Sequence, residues 1–248
     1  MGRRKVKVCL VWPPGFLVAY SIPLPLALLK SNLDESIATV KIIDCVLHGW
    51  GADSPELLAE IQEFAPDIVG VSSWSPMFPD ALRILARVKG IDHRIVTILG
   101  GPHATSYAEA TMRFSAIDYL FRGEAEFGFA RFVAAVQKGT LNPASIPGLV
   151  YREGERIKEV KMDRPADLDQ IRPAEFRDIE LSRYHELGYR WNSPNVLNAP
   201  LWVTRGCPYR CQYCSSPVLN GREIRRHGLD YMMEHITGLY REHGVRWF

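Results

Sequence analysis

No stretch of the 248-residue sequence stays apolar for anything near the ~20 residues that a membrane-spanning helix needs. Charge of one sign is missing too, since 30 lysines and arginines face 28 aspartates and glutamates, a formal net charge of +2. Such a balance gives no electrostatic reason to expect nucleic acid or an anionic membrane as partner. The basic Arg3-Arg4-Lys5 reads as a solvated terminus. The opening residues imitate a secretory leader, but their apolar run ends at Pro13-Pro14, too early for that signal. A myristoylation signal would need Ser or Thr at position 6, which is Val6. The chain is therefore expected to be cytoplasmic. Internal repeats, low-complexity segments, the dinucleotide fingerprint G-x-G-x-x-G and the P-loop G-x-x-x-x-G-K-[ST] are absent as well. Cysteine is scarce and odd in number: five in all, three of them within eight residues. That distribution suits thiolate ligation in a reducing compartment better than a disulfide framework. Cys9 and Cys45 lie in apolar strand-like runs and read as buried free thiols.

What is present is a rhythm of strands and helices. VKVCLVW, ATVKIIDC, PDIVGVSS, RIVTILGG and DYLFRG read as strands, the middle ones apolar enough to be buried on both faces. Between them, Ser54 as N-cap and Pro55 at the first turn open a helix with Leu57, Leu58, Ile61 and Phe64 on one face. A second helix carries Phe129, Phe132, Val133 and Val136 and stops at Gly139. This alternation predicts an α/β domain, residues 1–145, built on an open, doubly wound parallel sheet.

Residues 146–199 break the rhythm. GLVYREGERIKEV alternates about Glu153-Gly154 as a β-hairpin that closes the first domain, and a Pro-, Asp- and Arg-rich connector with about one helical turn follows. LWVTRGC resumes as a strand. Leu229, Met232, Met233, Ile236 and Leu239 then space as a helix, and VRWF reads as the next strand. Residues 200–248 thus look like the first βα unit of a barrel. About fifty residues cannot close a barrel of ~250, so the expectation is a fragment of a longer protein or a chain that borrows the rest from a partner.

The chemistry is concentrated in Cys207-Pro-Tyr-Arg-Cys211-Gln-Tyr-Cys214, a C-x3-C-x2-C loop after a strand. Three soft thiolates can hold three irons of a cubane cluster and leave the fourth open for a bidentate amino acid. The competing reading, a zinc knuckle, needs a fourth ligand at short spacing. His227, His235 and His243 lie too far along the chain for that. Two strand ends upstream also invite a ligand. One carries Ser72, Ser73, Trp74 and Ser75. The other carries Gly100-Gly101-Pro102-His103, where paired glycines either admit a bulky flat ligand to the backbone or simply turn the chain into a helix.

The cysteine loop, with Arg205-Gly206 before it and Tyr213 before the last cysteine, resembles the radical S-adenosylmethionine (SAM) superfamily. With the Pro-Pro after the first strand, D-I-V-G-V-S-S, G-G-P-H and R-G-E-A-E (Arg122 to Glu126), nearly the whole chain resembles the radical SAM enzymes that carry a cobalamin-binding domain. That resemblance implies a 4Fe-4S cluster on Cys207, Cys211 and Cys214, and SAM with its adenine against Tyr213. It further implies cobalamin flanked by Ser72, Ser73, Gly100 and Gly101. Glu124 and Glu126 are expected to serve structure at a helix N-terminus, where carboxylates are favoured. The implied reaction is reductive cleavage of SAM to a 5'-deoxyadenosyl radical and methyl transfer to an unactivated carbon. Cyclisation or rearrangement, and a binding module without turnover, remain alternatives. A small-molecule or natural-product substrate and an electron donor such as flavodoxin or ferredoxin would be the partners.

Two departures narrow the family. No D-x-H-x-x-G follows the first strand, so no histidine is marked as a lower ligand of cobalt; His48 and His103 are the nearest candidates. The second cysteine triad of methylthiotransferases is also missing. Trp191 and Trp202 are read as packing residues.

Overall fold

The computed structural model describes residues 4–15, 22–189 and 195–248. The first half alternates as the sequence predicts. In chain order it runs β1 (Val6–Trp12), α1 (Leu24–Ser31), β2 (Ala38–Asp44), α2 (Cys45–His48), α3 (Pro55–Phe64) and β3 (Ile68–Ser72). It continues with α4 (Phe78–Ile91), β4 (Val96–Gly100), α5 (Gly101–Ser106), α6 (Ala108–Thr111), β5 (Tyr119–Phe121) and α7 (Glu126–Lys138). β1 to β5 are parallel and stand in the order β2-β1-β3-β4-β5. The chain thus leaves β1 toward one edge and returns to its other side at β3, which puts a topological switch point between those two strands.

Alternation along the inner strands sorts the core. Cys9 and Val11 of β1 and Val69 and Val71 of β3 point to the face covered by α3 and α4, among Leu57, Ile61, Ile84, Leu85 and Val88. Val8 and Leu10 point to the opposite face, against Leu26 of α1 and Phe129, Phe132 and Val133 of α7. Phe132 and Leu57 are fully buried, each contributing about 1.5–3 kcal/mol. Cys9 and Cys45 are buried free thiols as expected, and burial pushes Cys9 up to about 12. Cys45, however, opens α2 rather than ending a strand. Ser54 precedes α3, but its hydroxyl accepts from the Gly51 amide at 2.8 Å instead of capping the helix. Gly139 ends α7 at φ 61°, the left-handed residue that the sequence calls for.

The hairpin β6 (Leu149–Glu153) and β7 (Arg156–Glu159) pairs antiparallel with β5 and completes a seven-stranded sheet. The sheet therefore runs past residue 145, and the hairpin is continuous with it rather than part of a separate connector. The connector forms α8 (Leu181–Glu186) and lays Leu168, Ile171, Phe176, Ile179 and Tyr184 in a third apolar cluster. That cluster joins the outer side of α1 (Leu24, Ala27, Leu28) to Leu239 and Val245 near the C-terminus. One buried polar bond anchors it: the Tyr184 hydroxyl donates to Asp44 Oδ2 while Asp44 Oδ1 caps α2 at the Leu47 amide.

The last segment holds β8 (Thr204–Arg205), α9 (Ser216–Asn220), β9 (Arg225–Arg226) and α10 (Leu229–Glu242). Of the expected strand LWVTRGC only two residues are extended in a ladder, and β8 pairs antiparallel with β9. The parallel contact expected of a βα unit is one bridge, Asn198 to Trp247, across α10. On α10, Met232 and Leu239 are buried, whereas Leu229 and Met233 of the expected apolar face are 76% and 52% exposed.

Candidate functional site

A cavity of about 360 Å³ opens at the carboxyl ends of the strands, on the α1–α7 face of the sheet. Leu10, Gly70 and Ile98 lie along its floor, with Ser72, Gly100 and Gly101 at its strand-end wall. The two glycines differ. Gly101 has φ +92°, and a Cβ there would meet Ser72 Oγ and the Ser73 carbonyl at 2.8 Å, so the fold itself requires glycine. Gly100 is extended (φ −131°, ψ −172°), and a Cβ there would meet nothing within 4 Å. Neither conformation nor packing asks for glycine at position 100. By strand alternation its missing side chain faces the Ile98 side, into the cavity, leaving a cradle for a flat ligand.

Ser73, expected beside the ligand, is fully buried and does not line the cavity, and its hydroxyl has no hydrogen-bond partner among the described residues. The strand end turns it inward, where its amide and carbonyl tie β4 to α5 through Gly100 O and the His103 amide, both at 3.1 Å. Neither histidine candidate lines the cavity. His48 stacks on Trp50, and His103 stacks on Phe78 with Nδ1 3.0 Å from Ser75 Oγ; burial lowers its pKa. Trp74, 59% exposed, does line it.

The far wall comes from the second half of the chain: Trp202, Thr204 and Arg205 before the cysteine loop, and Ser215, Leu219 and Asn220 after it. Trp202 is not a packing residue; it is 43% exposed in this wall, with the Arg205 guanidinium 5.2 Å from its ring centroid. Trp191 lies outside the described residues. Sequence reading missed the charged cluster at the junction. Arg205 pairs with Glu126 at 2.6 Å and Glu124 at 3.2 Å, and Arg225 chelates Glu124. All four side chains are 3–7% exposed. Burial works against the Arg205 charge, but the two carboxylates more than offset it and hold its pKa above the usual value. Glu124 and Glu126 are thus held by these arginines, with Glu126 opening α7. No local sequence pattern signals the pairing, because its partners are 79 and 101 residues apart.

The cysteine loop leaves this junction at Gly206, φ +98°, where a Cβ would lie 1.8 Å from the Glu223 carbonyl oxygen. The Cys207 amide donates to Gly221 O at 3.0 Å. Cys207 is half-buried, Cys211 and Cys214 are exposed, none is in a disulfide, and Tyr213 is 93% exposed. Among the described residues no three His, Cys, Asp or Glu side chains converge to hold a metal ion. The donor set nevertheless suits a cubane cluster: three thiols on one accessible loop, with His227 engaged by Asp169 at 3.0 Å. Convergence of the thiols would belong to the binding step, as where ligation and local folding are one equilibrium. No helix among the described residues is long and apolar enough to cross a membrane.

Residues 18–133 match the B12 binding domain family. The chain is 30% identical over 250 residues to a methyltransferase, itself uncharacterised, of Pyrococcus horikoshii, covering 97% of this chain and 52% of that protein. It is 28% identical over 244 residues to the anaerobic magnesium-protoporphyrin IX monomethyl ester cyclase of Rubrivivax gelatinosus, covering 96% and 40%. Its fold is similar to that of the radical S-adenosylmethionine methyltransferase TsrM from Kitasatospora setae, solved with cobalamin and a 4Fe-4S cluster bound. There the TM-score is 0.74 at 17% identity, over 98% of this chain and 47% of TsrM. The chain is thus similar to the B12 binding domain family over residues 18–133, and over nearly all of its length to proteins named as methyltransferases or a cyclase. It spans about half the length of the curated relatives it matches first.

Proposed function

We propose that this chain forms the cofactor-binding part of a cobalamin-dependent radical SAM methyltransferase, with cobalamin in the cavity and a 4Fe-4S cluster on Cys207, Cys211 and Cys214. One observation carries the reading: the sheet cavity and the cysteine loop share a wall, since Ser215 lines the cavity directly after Cys214. When bound, the cluster would supply the electron that cleaves SAM to a 5'-deoxyadenosyl radical, and cobalamin would carry the methyl group. Gly100 leaves space for the nucleotide base or the corrin edge, and the Ser72 hydroxyl stands ready as a hydrogen-bond partner. Tyr213, exposed on the loop, offers a flat face to the adenine of SAM. Apolar floor residues Leu10 and Ile98 exclude water beneath the ligand. The likeness to the Rubrivivax cyclase favours cyclisation as the second reading, with the same cofactors. The substrate would be a small molecule, and the electron would come from a donor of the flavodoxin or ferredoxin class.

The test has two arms. Titration with hydroxocobalamin should give saturable binding with a change in the corrin absorbance. Anaerobic reconstitution with iron and sulfide should give ~4 iron per chain. A folded chain that binds no cobalamin would remove the methyl-transfer reading, and stoichiometric zinc in place of iron would remove the cluster.

A further inference from the structure

The four buried charges at the junction stand in a particular geometry. In the β8–β9 ladder Arg205 lies directly opposite Arg225, so two like charges face each other at the point where the cysteine loop departs and returns. Such a pair is unfavourable unless a counter-charge lies between its members. Glu124 supplies it. Its Oε2 accepts from Arg225 Nη1 at 3.0 Å and lies 3.2 Å from Arg205 Nη1, and its Oε1 accepts from Arg225 Nη2. Glu126 Oε1 accepts from Arg205 Nη2 at 2.6 Å. Two carboxylates and two guanidiniums make the cluster neutral, which is what its burial demands. Arg225 is held further by Pro165 O at 2.9 Å and Asn220 O at 3.1 Å. Both glutamates leave the sheet between β5 and the first turn of α7, and both line the cavity. The segment from 206 to 224, the three cysteines included, leaves from and returns to the two-rung stem that they clamp, and its α9 also rests on α5 and on Arg164, which donates to Val218 O at 3.2 Å.

We propose that Glu124 and Glu126 are positioning residues: they clamp the stem of the cysteine loop to the rim of the sheet cavity and so set the loop's place relative to a ligand in that cavity. The clamp is a property of the chain alone; its consequence for two cofactors rests on the reading proposed above. A two-rung ladder carries too few backbone bonds to hold a nineteen-residue excursion by itself, and Gly206 shows how closely its strands pack. The charge cluster therefore fixes the stem's angle, while the sheet, with separate apolar cores on its two faces, does not depend on it.

Native-state hydrogen exchange on the cofactor-free chain tests this. The probes are the stem amides, Cys207 bonded to Gly221 O and His227 bonded to Val203 O; the reference is the amides of β1 and β3. In Glu126→Gln the stem amides are expected to exchange about a hundredfold faster while β1 and β3 stay unchanged, as local opening rather than global unfolding requires. Glu124→Gln should act the same way and more strongly. If that variant does not fold, Glu126→Gln carries the test, because Arg205 then keeps Glu124. Unchanged stem exchange, or equal acceleration in β1 and β3, overturns the assignment. Hydroxocobalamin titration of the unmodified chain, run beside it, separates the two ideas. Absent binding would remove the cofactor reading, and the exchange pattern would still decide the clamp.

Discussion

Adding one methyl group at each of two neighbouring glycines should have opposite consequences. At Gly101 the backbone is left-handed, which costs an L-residue about 1–2 kcal/mol. The new Cβ would also sit within 3 Å of Ser73 N and O, backbone atoms that cannot swing aside. Allowing for the unfolded-state freedom that alanine removes, Gly101→Ala should lose about 2–4 kcal/mol. At Gly100 the backbone is extended and the methyl meets nothing, so the unfolded-state effect is left alone and stability should hold or rise by about 0.4–1 kcal/mol. That methyl nevertheless enters the cavity. Overpacking a fitted ligand by one carbon costs about 1–3 kcal/mol, which raises the cobalamin Kd about 5- to 160-fold. Urea unfolding reads the first quantity and a hydroxocobalamin titration the second. A Gly100→Ala chain as unstable as Gly101→Ala would refute the structural assignment. One of normal stability and unchanged cobalamin affinity would refute the placement of the ligand.

Cys211→Ala should abolish the iron taken up on anaerobic reconstitution while leaving far-UV circular dichroism and hydroxocobalamin binding as they were. Tyr213→Ala should keep the iron content and weaken SAM binding, read by titration of the reconstituted chain. Tyr184→Phe removes the donor from the buried Asp44 and should cost about 1–3 kcal/mol in urea unfolding at neutral pH. Burial raises the folded Asp44 pKa above 3.8 although Tyr184 and the Leu47 amide oppose the shift, so the folded state holds its proton more tightly than the unfolded chain. Stability tied to that proton is therefore full below 3.8 and is lost as pH rises through the raised value. The cost of Tyr184→Phe should accordingly shrink as pH is lowered toward that value, and a cost independent of pH would refute the pairing. Phe132→Ala, fully buried between the sheet and α7, should lose about 3–5 kcal/mol with an unchanged m-value.

The five parallel strands and the principal helices were legible because each writes its own period: β-branched runs of strand length, and helices with one apolar stripe. The cysteine loop was legible for a similar reason, since three ligands within eight residues need no long-range fold to be recognised as a donor set. Gly139 and the hairpin turn at Gly154 belong to this class, because a positive φ is a local demand. Ser73 shows where local reading ends. Adjacent hydroxyls at a strand end look equivalent in sequence, yet alternation sends Ser72 to the cavity and Ser73 into the interior. Trp202 looked like core and stands in a cavity wall. The strand order that creates the switch point depends on which strand pairs with which. The cluster of Glu124, Glu126, Arg205 and Arg225 depends on charges up to 101 residues apart meeting in one buried place. Periodicity and motif spacing are properties of neighbours along the chain, so the sequence by itself determined the elements and the donor atoms. Only the tertiary structure, by burying distant groups together, decided that the cysteine loop shares a wall with the sheet cavity.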